Sequence, residues 1–265
     1  MIRNLQIEWM KIKNYRVFQV FSILYALGIV LIIYIFYRFY ISFISTVQES
    51  MTGVKGDAGD VLGIFTTSNL AYTVCFWTSL LLYLPGMVII NLFINEVNFK
   101  THRQNIIDGW KRETFIYTKI ALIACTCVVI VVMNFIAILI MSQITGSSIT
   151  AEVFKVLGLC FLQSFVYLSF ALLLATFFRR SGIAIIVFFI YGLILEWLLF
   201  WLVQYIHPSV SYFLPLQIAD SLIPFVRFGD LYKHMPTKIV IVICAIAYAG
   251  LYVYLTVRKY KYDDL

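Results

Sequence analysis

Long apolar runs separated by short polar segments dominate the chain. Six runs reach about 20 residues, the length at which a helix rising about 1.5 Å per residue crosses the hydrocarbon core of a bilayer. We predict helices because any irregular backbone facing lipid would leave its peptide groups without hydrogen-bond partners. The predicted spans cover residues 17–37, 68–94, 120–141, 153–178, 182–203 and 239–257.

The composition excludes a soluble globular protein. Charged residues make up 12% of the 265-residue chain and apolar residues 62%, whereas a soluble domain carries about 25% charged residues. Too few polar side chains are available to cover a water-facing globule. The predicted fold class is therefore all-α, a polytopic membrane protein in which residues 17–265 form one six-span transmembrane domain.

The basic residues predict how the chain is oriented. Fourteen of the 20 Lys and Arg residues lie in the N-terminal segment, between spans two and three, in the turn between spans four and five, and at the C-terminus. The positive-inside rule places this side in the cytoplasm. The prediction is a multi-pass protein of the cell (plasma or inner) membrane with both termini cytoplasmic. The net charge of +7 then reflects orientation, and no nucleic-acid partner is expected.

The predicted outer segments differ from the inner ones. Residues 48–67 include four glycines, which predicts a loop. Residues 204–238 contain four prolines between apolar patches, which makes them too interrupted to span. We expect that segment to dip into the outer leaflet as short helices, in a re-entrant-like arrangement.

The first sixteen residues predict an amphipathic interfacial helix. Ile2, Leu5, Trp9 and Ile12 recur at helical spacing, and four cations surround this stripe. Such a helix lies in the membrane interface with its aromatic residue at headgroup depth. It serves either as a passive anchor or as a lever that joins the first span to a cytoplasmic partner, and the sequence leaves both open.

Residues 95–119 form the most informative polar segment. They are highly charged, lie between two long spans, and are more numerous than a turn requires. Ile106, Ile107 and Trp110 make an apolar stripe at helical spacing, and Gly109 would permit a helix end. The segment is either a solvated loop or a short helix on which a soluble protein docks.

The chain here resembles the permease subunits of type 2 ATP-binding cassette exporters. In that family a glutamate ending the second span is followed by a threonine, an arginine, a helix break, a basic residue, an aromatic residue and a lysine entering the third span. The sequence shows these in order as Glu96, Thr101, Arg103, Gly109, Arg112, Phe115 and Lys119. The run 175–182 is similar to the family's turn between spans four and five. The sequence departs from the pattern at three positions. Lys100 stands where the family often has glycine, Gly109 where proline is frequent, and Thr118 where glycine is frequent.

The resemblance implies that this segment is similar to a coupling helix that docks on a nucleotide-binding subunit. A second permease subunit, identical or paralogous, is implied as well. No phosphate-binding loop of the form G-x-x-x-x-G-K-[ST] occurs in the chain, so ATP and Mg would be bound by the partner. The chain itself is predicted to be a transport subunit with no catalytic residue. The expected coupling residues are Glu96, Lys100, Thr101, His102, Arg103, Asn105, Asp108, Gly109, Trp110, Lys111 and Arg112.

A few polar side chains fall inside the predicted spans. Glu196 lies in the fifth span, where a carboxylate should face protein or water rather than lipid. It is a candidate for the translocation path or for an inter-helix tether, as are Asn91 and Asn134. The five cysteines lie in apolar runs and are interpreted as small core residues. The three histidines lack the spacing of metal ligands, so no metal site is predicted.

Four functions remain open at this point. The leading one is a permease moving an amphipathic substrate, such as a lipid-like molecule, a drug or an antimicrobial peptide. An ion-coupled secondary transporter or channel without an ATPase would need several intramembrane carboxylates. A membrane enzyme acting on lipid would need clustered acids or histidines at span ends. An immunity or assembly protein would show no transport.

Overall fold

The computed structural model describes residues 2–50, 63–101, 112–225 and 235–262, and the regular structure in these ranges is helical. A 3-10 turn over Leu80–Leu82 joins the helices Leu70–Ser79 and Tyr83–Asn98, and a π-helical turn over Tyr191–Leu195 joins the helices Ser181–Ile190 and Glu196–Ile206. The helices are α1 Ile2–Lys13, α2 Arg16–Ser50, α3 Leu70–Ser79, α4 Tyr83–Asn98, α5 Arg112–Thr145, α6 Ala151–Phe178, α7 Ser181–Ile190, α8 Glu196–Ile206, α9 Gln217–Asp220 and α10 Lys238–Tyr262.

Within the described ranges, six helical stretches are long and apolar enough to cross a membrane, which confirms the predicted all-helical fold with six such helices. They are Arg16–Ser42, Leu70–Asn98, Glu113–Thr145, Ala151–Phe178, Ser181–Ile206 and Lys238–Tyr262. Each is longer than its apolar run, because polar residues at span ends continue the helix. A helix also forms over the predicted N-terminal segment, as α1. Its position in the membrane interface stays a prediction.

The loop predicted over residues 48–67 begins too early. The helix α2 runs on to Ser50, since neither Gly nor Pro interrupts the chain between Gly28 and Gly53. Residues 63–69 are bends and turns, in agreement with the prediction, and residues 51–62 lie outside the described part of the chain. The start of the predicted loop is therefore wrong, and its part over residues 51–62 stays a prediction.

The fourth span lies at the centre of the bundle. In the fourth span 72% of the most apolar stretch is buried, whereas in the first span the share is 11%. The helix α6 is therefore surrounded by other helices, and α2 lies at the outside of the bundle. α6 contacts α4, α5 and α10 along its length. The neighbouring spans approach closely where Gly86 of α4 meets Phe188 of α7: a Cβ at Gly86 would lie 2.5 Å from a Phe188 ring carbon.

A tight turn joins α6 to α7. Arg179 ends α6 in the left-handed region with φ 49°, and its N–H donates to the Ala175 carbonyl at 3.2 Å. After α8 ends at Ile206, the chain forms a 3-10 turn over Ser211–Phe213 and the short helix α9. Short helices thus occur within predicted segment 204–238, and residues 226–234 lie outside the described ranges.

Candidate functional site

The two ends of the polar segment 95–119 meet at a buried lysine. Glu96 lies in the last turn of α4, and Lys119 lies about two turns into α5. The Lys119 Nζ donates to Glu96 Oε1 at 2.6 Å and to Glu8 Oε2 of α1. Lys11 donates to the other oxygen of Glu8, Oε1, at 3.3 Å. We call Glu8, Lys11, Glu96 and Lys119 the junction cluster.

Within the junction cluster, Glu8 and Lys119 are buried, Glu96 is half-buried and Lys11 is exposed. The two carboxylates and the two ammonium groups compensate one another. Glu8 is 0% exposed and Lys119 3% exposed. Burial by itself raises the pKa of Glu8, but the ammonium groups of Lys119 and Lys11 more than offset this and hold that pKa below its ordinary value. Ions in such a place persist only when paired and hydrogen-bonded. The cluster therefore joins three helices, and two of its members, Glu8 and Lys119, are 111 residues apart in the sequence.

Aromatic and apolar side chains close around the cluster. The Lys119 Nζ lies 5.2 Å from the centre of the Phe115 ring, a cation–π distance, and Phe115 stacks on Tyr260 of α10 at 5.3 Å. Asn95 donates a hydrogen bond to the Tyr15 hydroxyl between α1 and α2. Ile12 is 1% exposed and packs in a small apolar cluster with residues of α4. The last turn of span six thus also borders the site.

The departure at Lys100 coincides with a backbone position that favours glycine. Lys100 has φ 56°, in the left-handed region that an L side chain adopts only at a cost. This residue follows the end of α4 at Asn98, and the Thr101 hydroxyl donates to the Glu96 carbonyl at 3.2 Å. The chain therefore leaves the span through a sharp turn that returns onto the last turn of α4.

Most of the predicted coupling residues cannot be placed. Glu96, Lys100 and Thr101 are in the described part of the chain, as reported above, and Arg112 begins α5 although its side chain is not among those described. The helix predicted to dock on a partner stays a prediction. Seven residues lie outside the described ranges: His102, Arg103, Asn105, Asp108, Gly109, Trp110 and Lys111.

The sequence interpretation missed Glu8, which is the centre of the cluster. A signal was present, because Leu5, Glu8 and Ile12 follow one another at spacings of three and four and so share one helical stripe. A single acid on the apolar stripe of a basic helix needs a buried cation as its partner. Lys119, the cation entering the third span, provides it.

A second buried carboxylate, Glu196, holds the segment that follows span five. Its Oε1 accepts hydrogen bonds from the backbone N–H groups of Leu216 and Gln217, the latter at 2.7 Å. These N–H groups lie at the start of α9 and have no helical partner of their own. Glu196 is 3% exposed. Of the two predicted roles, the geometry is that of a tether between α8 and α9.

Asp220, which ends α9, makes the matching contact with the central span. Its Oδ1 accepts from the Tyr167 hydroxyl at 2.7 Å and from Gln163 Nε2 at 3.2 Å. Two tyrosines of α10 donate to carbonyls of the same segment, Tyr248 to Phe213 at 2.7 Å and Tyr252 to Pro215 at 3.1 Å. The segment is thus bound to spans four, five and six. The sequence interpretation did not single out Asp220.

We expect Asp220 to make the stability of the fold depend on pH. Burial raises its pKa to about 6 from an ordinary 3.8, although the hydrogen bonds from Tyr167 and Gln163 act in the opposite direction. At a pH between the unfolded pKa of 3.8 and the folded pKa of about 6, Asp220 is protonated in the folded protein and ionised in the unfolded chain. The free energy of unfolding therefore increases as the pH falls through about 6. Asp220→Asn should remove this gain.

The measurement is the midpoint of thermal unfolding in mild detergent at about pH 7.5 and about pH 5. The wild type should gain stability relative to Asp220→Asn at the lower pH. Glu152→Gln is the control, because Glu152 is an exposed carboxylate in the first turn of α6, and it should respond as the wild type does. An equal response of Asp220→Asn and wild type would contradict the assignment.

The two asparagines predicted as path or tether residues differ in their surroundings. Asn134 of α5 is 1% exposed, accepts a hydrogen bond from the Thr78 hydroxyl of α3, and donates to the Cys160 sulfur of α6 at 3.6 Å. It therefore links three spans. Asn91 is half-buried and donates to the Met87 carbonyl of its own helix at 3.1 Å, so no inter-helix contact is assigned to it.

The cysteines follow the core prediction with one exception. Cys75, Cys127 and Cys160 are buried and Cys244 is half-buried, whereas Cys125 is exposed on the outer face of α5. That position lies on the surface of an apolar span, where a small apolar side chain is equally acceptable. In the ranges that the structure covers, no three His, Cys, Asp or Glu side chains lie together as metal ligands would.

Comparison of the sequence with protein-family models and with curated proteins finds no match. The resemblance to exporter permeases therefore rests on the quoted residues and on the six-span layout. The geometry adds one feature that bears on it, namely that two residues of the quoted pattern, Glu96 and Lys119, form a buried ion pair.

Proposed function

We propose that the chain is the permease subunit of an ATP-driven exporter similar to the type 2 ATP-binding cassette family. The observation that carries the proposal is the junction cluster. It ties both ends of the polar segment 95–119 to each other and to α1. A partner pushing on that segment would move α4, α5 and α1 together, because separating a buried ion pair exposes uncompensated charge to an apolar surrounding.

The remaining parts of the proposal follow from that arrangement and from the resemblance. ATP and Mg bind to a separate ATPase subunit, both termini are cytoplasmic, and two permease subunits pair in the membrane. ATP shifts the equilibrium between two conformations of the complex only by its differential affinity for them. The substrate is amphipathic, and the N-terminal helix acts as a lever rather than as a passive anchor.

Charge removal in the coupling segment tests the proposal. Arg103→Ala combined with Asp108→Ala should lower ATP-driven substrate uptake into inside-out vesicles, which corresponds to export from the cell, by about tenfold or more, because a coupling free energy of a few kcal/mol is lost. The same variant should no longer co-purify an ATPase subunit from its native host. Export that needs no ATP, or that is unchanged in this variant, would refute the proposal.

The matched control is Glu152→Ala combined with Lys155→Ala. These residues are an acid and a base exposed on the first turns of α6, at the opposite end of the bundle from the junction cluster. They change the same charges without touching the polar segment. Export should then stay close to that of the wild type.

One observation favours the runner-up, an ion-coupled transporter or channel. Glu196 and Asp220 are two carboxylates held in one buried hydrogen-bonded region, and proton-coupled transporters use such groups. Both oxygens that make these contacts are engaged in fixing α9, which favours a structural role. Substrate accumulation driven by a pH gradient, without ATP and lost in Glu196→Gln, would replace the leading proposal with this one.

A further inference from the structure

A cavity of about 370 Å³ lies between α1, α2, α4 and α5, in the half of the bundle that carries the junction cluster. Its size falls within the roughly 300–1,000 Å³ of ordinary ligand pockets. The lining is almost entirely apolar and includes Trp9, Ile12, Phe18, Phe21, Val88 and Leu92. The ligand portion that fits this lining is a hydrocarbon chain.

The cavity opens laterally, between α2 and α5, toward the apolar outer surface of the bundle. Ser22 of α2 and Cys125 and Val129 of α5 line it and are exposed, Val129 at 60%. Spans 16–42 and 113–145 flank this opening. An occupant therefore enters from the lipid phase rather than from water, which favours a membrane lipid over a soluble ligand.

Two cations lie beside the chain connection at one end of the cavity. The connection between α1 and α2 lies at that end, because Ile12 before it and Phe18 after it both line the cavity. Lys13 and Arg16 flank the connection and are exposed, and neither forms an ion pair with an acid among the described residues. Each cation near a membrane surface attracts anionic headgroups, and Trp9 is an aromatic residue typical of headgroup depth.

We propose that this cavity binds one acyl chain of an anionic phospholipid, whose headgroup lies against Lys13 and Arg16. The lipid comes from the leaflet on the side of the two termini. Its chain contacts α1 through Trp9 and Ile12, so the lipid is held between the N-terminal helix and the spans. The proposal stands on the cavity and its charges, and it does not depend on the proposed transport function.

The headgroup arm of the test uses native mass spectrometry of the full chain released from mild detergent. The probes are palmitoyl-oleoyl phosphatidylglycerol and palmitoyl-oleoyl phosphatidylcholine at equal concentration. One phosphatidylglycerol per chain should be retained about tenfold or more over phosphatidylcholine, given the attraction of two cations. Lys13→Gln with Arg16→Gln should abolish that preference. The control, Arg180→Gln with Arg258→Gln, removes two exposed cations at the same end of the bundle and should keep it.

The acyl-chain arm uses two neighbouring valines of α5. Val129→Trp narrows the cavity, whereas Val128→Trp places the same bulk on an exposed position, 54% exposed, that does not line it. Lipid retention should fall in the first variant and not in the second. Ser22→Trp, from the opposite wall, repeats the measurement if Val129→Trp does not fold.

Three results would overturn the proposal. They are equal retention of the two lipids by the wild type, equal loss in the two double-charge variants, and equal retention in the two α5 tryptophan variants. A fourth result is that the wild type retains both lipids equally and that, of the two α5 variants, only Val129→Trp lowers this retention. The cavity would then bind a diacyl lipid of any headgroup, and the preference for an anionic headgroup would be wrong.

Discussion

Replacing Lys119 with methionine should destabilise the protein by about 3–5 kcal/mol, the usual cost of removing one partner from a buried ion pair. Lys119 is 3% exposed and is the cation that Glu8 and Glu96 share. Without it, two carboxylates remain close together in an apolar surrounding. The effect is measured as a drop in the midpoint of thermal unfolding in mild detergent, and export should fall with it.

The comparison variant is Lys261→Met. Lys261 pairs with Glu113 at 2.7 Å, but its side chain is 51% exposed, so water replaces the partner and little change is expected. A second comparison adds Glu8→Gln and Glu96→Gln to Lys119→Met. Stability should then recover in large part, because no buried charge is left unpaired. A similar drop in the unfolding midpoint for Lys119→Met and Lys261→Met would show that the junction cluster contributes no more to stability than an exposed ion pair.

Replacing Glu196 with leucine should release the segment after span five. The backbone N–H groups of Leu216 and Gln217 would lose their acceptor, at about 1–3 kcal/mol for each buried donor left unpaired. The thermal unfolding midpoint should fall, and the control Glu152→Leu, at an exposed position, should change it much less. Equal unfolding midpoints in the two variants would show that the hydrogen bonds from Leu216 and Gln217 to Glu196 do not stabilise the fold.

Glu196→Gln distinguishes a tether from a proton site. Glutamine keeps one carbonyl oxygen that can accept from both N–H groups but cannot bind and release a proton at physiological pH. As a tether, Glu196→Gln should keep most of the stability and most of the export. Normal stability with complete loss of export would instead identify a proton carrier and support the ion-coupled alternative.

The sequence by itself determined the class of protein and the number of spans. Both depend on long-range averages of hydrophobicity, and a bilayer leaves the backbone almost no choice but helix. The span ends were less well predicted, as at Ser42 and Ile206, because polar residues at the interface are compatible with either helix or loop. The sequence also marked 95–119 as a polar segment, since its charges stand between two apolar spans.

Only the tertiary structure decided which polar residues meet. Glu8 and Lys119 are 111 residues apart, and no local pattern relates them. Glu196 faces α9 because the chain after span five folds back onto spans four and six. Hydrophobicity along the chain determines which segments enter the membrane, whereas contacts between distant side chains depend on how the helices pack, which involves every span at once.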